Sequence, residues 1–249
     1  MAGVDSSRFV CTQPEVLGYG DAKYWKLRYV EKVFEPFDWY LRWDQLKELV
    51  SPHLKPDAEV LILGCGTSPL AEQILAEGLA SSVTCVDQCG ELVEALSQKH
   101  QDKAEKLKFE ALGANKLPQD WAGRFDVVVD KAMLDCIIAG RQGTQRAQAV
   151  LQAASATLKS GGRYVCVSHA GPMQRLPLLG SARSQDQDLS QEFNWRVSCH
   201  TVPRPLADPG TGAPAAKGGK APKDASELTQ SAAFDAEANV YHIYICARE

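Results

Sequence analysis

The stretch EVLILGCGTSPL, from Glu59 to Leu70, decides the fold. Its first half, EVLIL (Glu59–Leu63), is a short apolar run of the kind that makes a parallel strand buried on both faces. The run passes directly into Gly64-Cys65-Gly66. Glycines there let the chain turn tightly and let backbone approach a ligand with no Cβ in the way. Ser68 and Pro69 form an N-cap and first-turn pair for a following helix, whose N-terminus presents unpaired N–H groups. Two glycines alone describe an ordinary tight strand–helix turn equally well.

Working outward, the same alternation repeats. SVTCVD (Ser82–Asp87) reads as a strand, Glu91–His100 as a helix, LKFEA (Leu107–Ala111) and FDVVVD (Phe125–Asp130) as strands three and four. Ala147, Val150, Leu151, Ala154 and Leu158 recur at helical spacing, and Gly161-Gly162 reads as the stop before strand five, RYVCVS (Arg163–Ser168). Such alternation requires right-handed crossovers and a parallel sheet with helices on both faces. Upstream, Tyr24, Trp25, Arg28 and Tyr29 lie in a helix capped by Asp21; Trp43, Leu46, Leu49 and Val50 make a second, closed by Ser51-Pro52. Downstream, Asn194–Thr201 and Val240–Ala247 alternate in strand fashion. Between them, Pro203–Ala225 holds five prolines, four glycines and one large apolar side chain, Leu206, which predicts a disordered loop. Two strands joined by such an insert make a terminal hairpin, so seven strands with one antiparallel member are expected.

Composition narrows the function. The 249 residues fit one α/β domain, and 27 basic against 31 acidic side chains argue against a surface built to grip nucleic acid or an anionic membrane. No stretch approaches the roughly 18–20 apolar residues of a membrane span. The first 18 residues have neither an apolar secretory core nor an arginine-rich amphipathic helix, so a cytoplasmic protein is expected. The eight cysteines include no CxxC and no Cys/His set at zinc spacing, and Cys65, Cys85, Cys166 and Cys246 fall inside apolar runs. Reduced, buried thiols are expected, and no metal.

Asp87 ends strand two about twenty residues beyond the glycines, where a carboxylate can accept from both ribose hydroxyls of an adenosine cofactor. It could equally cap the next helix. A pyrophosphate binder wants a third glycine, and Pro69 stands in that place; no GxxxxGK[ST] run exists for a phosphate loop. S-adenosylmethionine has no phosphate to cradle, and a two-glycine turn suffices for it.

The signatures KYWKLRY (Lys23–Tyr29), PFDWY (Pro36–Tyr40), LILGCGTSPL (Leu61–Leu70), VTCVD (Val83–Asp87), FDVVVDKAMLD (Phe125–Asp135) and LKSGGRYVCVS (Leu158–Ser168) follow one another over about Gly18–Ser168. Together they resemble the class I S-adenosylmethionine-dependent methyltransferases, within them the eukaryotic group that methylates lysines of translation elongation factor 1-alpha, with the citrate synthase lysine methyltransferase as a relative. The resemblance implies a Rossmann-like α/β fold of seven strands in a single domain. Residues 18–58 would be cofactor-covering helices, 59–202 the core, 203–239 the insert and 240–249 the last strand. It implies that Trp25, Tyr29 and Trp39 fold over the cofactor, that Gly64 lies beneath it, and that Asp87 and Gln88 hold the ribose. Gly113 and Ala114 would flank the adenine, and Lys131 would follow strand four into the site. Aromatic faces suit a sulfonium cation and a stacked adenine, although the same rings could simply pack a helix.

Three departures from the family pattern stand out. An acidic residue is usual where Gly113 stands, and its loss predicts cofactor binding weaker by ~1–2 kcal/mol unless a backbone carbonyl or Asn115 compensates. The usual DKGT-type or EKGT-type motif reads Asp130-Lys131-Ala132-Met133, in a loop expected to face the transferred methyl. The hairpin insert is longer than usual for these relatives.

Methyl transfer is an in-line displacement on an already activated carbon, so the protein mainly has to place a neutral nucleophile opposite the sulfur. A lysine, with an ordinary pKa near ~10.4, must first lose a proton. Asp130 and Asp135 sit just past strand four, at the edge where ligands of such sheets bind, and one of them is expected to orient the incoming ammonium, unless Asp135 only caps a helix. Three functions stay open: a monomeric protein-lysine methyltransferase acting on a protein such as elongation factor 1-alpha, a small-molecule methyltransferase, and a cofactor-binding scaffold. An open acidic cleft beside the methyl would favour the first and a closed apolar pocket the second.

Overall fold

The computed structural model describes residues 18–32, 35–180, 193–205 and 239–249, with the pairs Arg183–Ser184 and Gln187–Asp188. Nearly all of the predicted insert therefore lies outside the described residues. Seven strands, β1 (Glu59–Leu63), β2 (Ser82–Asp87), β3 (Leu107–Ala111), β4 (Phe125–Lys131), β5 (Leu158–Ser168), β6 (Trp195–Pro203) and β7 (Val240–Arg248), form one sheet in the order β3-β2-β1-β4-β5-β7-β6. The first five run parallel, while β7 is antiparallel to both β5 and β6. This is the expected sheet with one reversed member.

Both faces are covered because alternate residues of each strand point opposite ways. Val60, Ile62, Val83, Cys85, Val127 and Val129 pack with α2 (Trp43–Val50), α3 (Leu70–Ala76) and α4 (Gly90–Lys99) on one side. Their neighbours Leu61, Leu63, Val86, Val128, Tyr164 and Cys166 pack on the other with α5 (Met133–Ile138) and α6 (Gly143–Thr157). At roughly 25 cal/mol per Å² of buried apolar surface, these two clusters are the main stabilisers of the layers. The edge strand β6 is anchored by Trp195, whose ring stacks on Tyr164 at 5.4 Å and 9°.

Local signals hold with two adjustments. Asp21 Oδ1 accepts the Lys23 N–H at 2.8 Å and starts α1 (Ala22–Lys32), as its position predicts. Ser68 lies one residue before the cap of α3, accepting the Leu70 N–H at 3.3 Å while Pro69 takes the cap position. The glycine pair Gly161-Gly162 does not stop a helix; α6 already ends at Thr157, and both glycines fall inside β5. There the register jumps between Phe125 and Val127, and Gly161 takes φ +77°, so the pair marks an irregularity in the ladder where a side chain would strain the turn. Among the described residues no helix is long and apolar enough to cross a membrane.

Candidate active site

The strand order reverses direction between β1 and β4, and open α/β sheets bind ligands at the carboxyl ends of the strands flanking such a point. A cleft of about 1130 Å³, counting its open mouth, lies there. Each implied cofactor residue lines it: Trp25, Tyr29, Trp39, Gly64, Asp87, Gln88, Gly113, Ala114 and Lys131. The fold thus brings together residues spread over more than a hundred positions of sequence.

The floor is the glycine turn. Gly64 and Gly66 have φ +59° and +53°, the left-handed region that costs an ordinary residue about 1–2 kcal/mol. A Cβ at Gly64 would lie 2.7 Å from Met133 Cγ, and one at Gly66 would lie 2.8 Å from the Tyr29 hydroxyl. Close approach, as well as turn geometry, therefore demands glycine. Gly64→Ala is expected to lower stability by about 1–2 kcal/mol in thermal melts, from the backbone strain. Adding Met133→Ala would relieve the contact but not that strain, so a double variant restored to wild-type stability would contradict the assignment.

Asp87 is almost enclosed, 7% exposed. Its Oδ2 accepts from Gly66 N–H at 3.2 Å and its Oδ1 from Cys89 N–H at 3.0 Å, where Cys89 caps α4. The carboxylate ties the glycine turn to the next helix, as the capping reading expects, and it also borders the cleft. Burial pushes its pKa up, and the Cys89, Gly66 and Gln88 backbone donors pull against that rise.

The wall is a sheet of rings. Trp25 stacks on Tyr29 at 5.8 Å and meets Trp39 edge-on at 6.0 Å, while its indole N–H donates to the Tyr19 carbonyl at 2.7 Å. Phe37 abuts Trp39 at 5.6 Å. The rings do pack on each other, yet Tyr19, Trp25, Tyr29, Phe37 and Trp39 all face the cleft. Opposite Gly113, the Asn115 Oδ1 would stand 3.1 Å from a Cβ placed on that glycine, so an amide oxygen occupies the neighbourhood where the resemblance implies an acid.

Lys131 does more than border the cleft. Its ammonium, with 6% of the side chain exposed, donates to Asp38 Oδ1 at 2.8 Å and to the Trp39 carbonyl at 3.2 Å. Ser68 donates to the same Asp38 oxygen at 2.5 Å. The aromatic segment is thereby latched to the ends of β1 and β4. Burial lowers the lysine's pKa and Asp38 holds it up in part. Asp38 carried no sequence signal beyond its place in PFDWY.

The two expected acceptor-orienting carboxylates do not line the cleft. Asp130 is fully buried, accepting from Leu134 N–H at 3.1 Å and the Tyr164 hydroxyl at 3.2 Å, because it points into the core between β4 and α5. Burial pushes its pKa up to about 7, with the Leu134 N–H opposing. An acid raised in the folded state binds its proton more tightly there than when unfolded, so its effect on stability worsens as pH rises from about 4 to about 7 and stays unfavourable above. Asp130→Asn is expected to raise the melting temperature by about 3–6 °C at pH 8, a gain of about 1–2 kcal/mol after imperfect rebonding, and to give no gain at pH 4. An equal change at both pH values would refute the titration.

Asp135 is also enclosed, with 4% of its side chain exposed, and is the hub of a network outside the cleft. It pairs with Arg175 and accepts from Ser168 Oγ at 2.7 Å, the Tyr40 hydroxyl at 2.9 Å and the His169 N–H at 3.1 Å. Its helix neighbours Met133 and Cys136 do face the cleft. Ala132, where the resemblance implies glycine, takes φ +73°, a left-handed conformation that this chain meets under strain. Among the described residues no cluster of His, Cys, Asp and Glu could hold a metal.

A Rossmann-like sheet with a left-handed glycine turn, a carboxylate ending β2 and no GxxxxGK[ST] run is the frame of a nucleoside-cofactor protein. Residues 54–234 match the methyltransferase domain family, and the chain belongs to it: it is an S-adenosylmethionine-dependent methyltransferase. It is similar to EEF1A lysine methyltransferase 4 of Mus musculus, 30% identical over 174 residues, covering 66% of this chain and 67% of that protein. It is similar at 30% identity over 152 residues to the eEF1A lysine and N-terminal methyltransferase of Danio rerio, a match that covers 61% of this chain and 22% of the relative. In fold it is similar to 1,6-didemethyltoxoflavin-N1-methyltransferase of Burkholderia thailandensis, solved with S-adenosylhomocysteine, at TM-score 0.52 and 17% identity, covering 95% of this chain and 92% of that one.

Proposed function

We propose that this methyltransferase transfers the methyl group to a lysine side chain of a protein, elongation factor 1-alpha being the first choice. The observation that carries the reading is the similarity over 174 residues to a protein named for that activity. In this reading Asp87 and Gln88 hold the ribose, Gly64 underlies the cofactor, and Asn115 takes the adenine amino group in place of the acid missing at Gly113. Trp25, Tyr29 and Trp39 cover the sulfonium, whose charge an aromatic face stabilises. Lys131 serves by locking that cover through Asp38. Asp130 and Asp135 act as framework. The described cleft residues include one carboxylate, Asp87, beside the basic Arg28, Lys131 and Arg146, so the acidic cleft expected for a lysine acceptor is not found among them and the lysine reading rests on the similarity.

The test uses the recombinant enzyme, tritiated S-adenosylmethionine and a cell extract resolved by size. A labelled band at the mass of elongation factor 1-alpha, with label on lysine after hydrolysis, is the expected result. Label confined to small metabolites would overturn it.

A further inference from the structure

One group beyond the carboxyl end of β5, in the network next to the cleft, has the chemistry of the step that a lysine acceptor makes obligatory. His169 follows β5 directly at its carboxyl end, two residues past Val167, which pairs in register with the cleft residue Lys131. Its imidazole is 56% exposed, yet its Nδ1 is held by two partners, Asp135 Oδ2 at 3.0 Å and the Tyr40 hydroxyl oxygen at 2.9 Å. Tyr40 donates its own hydrogen to that same carboxylate oxygen, so the hydrogen between Tyr40 and His169 sits on Nδ1. Nε2 is then the nitrogen with the lone pair.

The supports are themselves fixed. Asp135 is buried against Arg175 and Ser168, and although burial works against its charge, His169 and Arg175 outweigh that and hold its carboxyl below the usual range. Tyr40 takes φ +67°, a conformation that a non-glycine residue keeps only where the surroundings impose it, and such strain gathers at functional sites. Its ring stacks on Tyr241 at 4.6 Å. Both supports adjoin the cleft in sequence: Trp39 precedes Tyr40, and Cys136 follows Asp135. A histidine oriented through one nitrogen by a buried carboxylate, with no partner for the other among the described residues, is the arrangement of a positioned general base.

We propose that His169 removes the proton from the acceptor amine, with Asp135 and Tyr40 as its positioning residues; this rests on the lysine reading above. The ammonium N–H bond breaks and its proton passes to Nε2. The freed nitrogen pair then attacks the methyl carbon as the carbon–sulfur bond breaks, its electrons staying on sulfur to give S-adenosylhomocysteine. The imidazolium returns its proton to water. The titratable and charged groups around the imidazole and its supports include Tyr40, Tyr241, Asp135, Arg175, Cys136, Asp130, which acts on Asp135 and Cys136, and His242, the register partner of Ser168. Burial pushes the Cys136 thiol up to about 12, which leaves it neutral through the working range.

The experiment measures kcat from pH 6 to pH 10 with tritiated cofactor and recombinant elongation factor 1-alpha, alongside calorimetric cofactor binding. His169→Gln is expected to lower kcat roughly 100-fold near pH 7, with the deficit shrinking toward pH 10 as the amine deprotonates unaided, and with cofactor affinity unchanged. Tyr40→Phe, which keeps the ring and removes one support, is expected to lower kcat about tenfold with the same pH shape. If wild type methylates lysine and His169→Gln matches its kcat and pH profile, or loses the same factor at every pH, the base assignment is overturned while the substrate reading stands. If wild type binds the cofactor and labels no lysine, the substrate reading fails and the assignment falls with it.

Discussion

Replacing Asp87 by alanine is expected to weaken S-adenosylmethionine binding by a factor of roughly 100 to 1000, about 3–4 kcal/mol by calorimetry. In the proposed reading, two charge-assisted hydrogen bonds to ribose hydroxyls would account for most of this, each worth about 1.5–3 kcal/mol before compensation. The rest follows from the turn itself. Without the carboxylate, the Gly66 and Cys89 N–H groups lose their acceptor, and the glycine bend beneath the cofactor is no longer tied to α4. Asp87→Asn separates the two effects, since its amide oxygen can keep one backbone donor while the charge is gone. An alanine variant that binds within threefold of wild type would remove the ribose from this residue.

Lys131→Ala is expected to destabilise the protein by about 3–5 kcal/mol, the usual cost of stranding one member of a buried ion pair. The melting temperature would fall by about 10 °C for a chain of this size. Asp38, with 10% of its side chain exposed, would keep only Ser68 as a partner among the described residues. The segment carrying Phe37 and Trp39 would lose its latch to β4, so cofactor affinity should fall as well, although the lysine need not touch the ligand. Adding Asp38→Ala should restore part of the stability, because the stranded charge is then removed too. A single-variant loss under 1 kcal/mol, or a double variant no better than the single, would show that the pair does not fasten the cover.

The residues that were legible from the chain alone share a property: their roles are local. A strand ending in Gly64-Cys65-Gly66, a carboxylate at the end of the next strand, and Trp25 and Tyr29 one helical turn apart each state their geometry within a few positions. The carboxylates past β4 were misplaced for the opposite reason. Asp130 and Asp135 occupy the right edge of the sheet, but side-chain direction there depends on how β4 enters α5. Asp130 follows the alternation of β4 onto the face of Val128 and Tyr164, and Asp135, on α5 past the left-handed Ala132, bonds to the end of β5. Gly161-Gly162 misled similarly, since a helix stop and a break in strand register use the same backbone freedom. Asp38, Tyr40 and His169 carried no usable signal, because each matters through partners 30 to 129 positions away.

By itself, the amino-acid order determined the layered parallel sheet, its reversed last strand and the adenosine-type site, because strand and helix periods and glycine turns are written in neighbouring residues. Only the tertiary structure decided which charges face the ligand and which are spent holding the frame. That outcome is set by burial and by hydrogen bonds between distant strands, and neither exists until the sheet has closed around them.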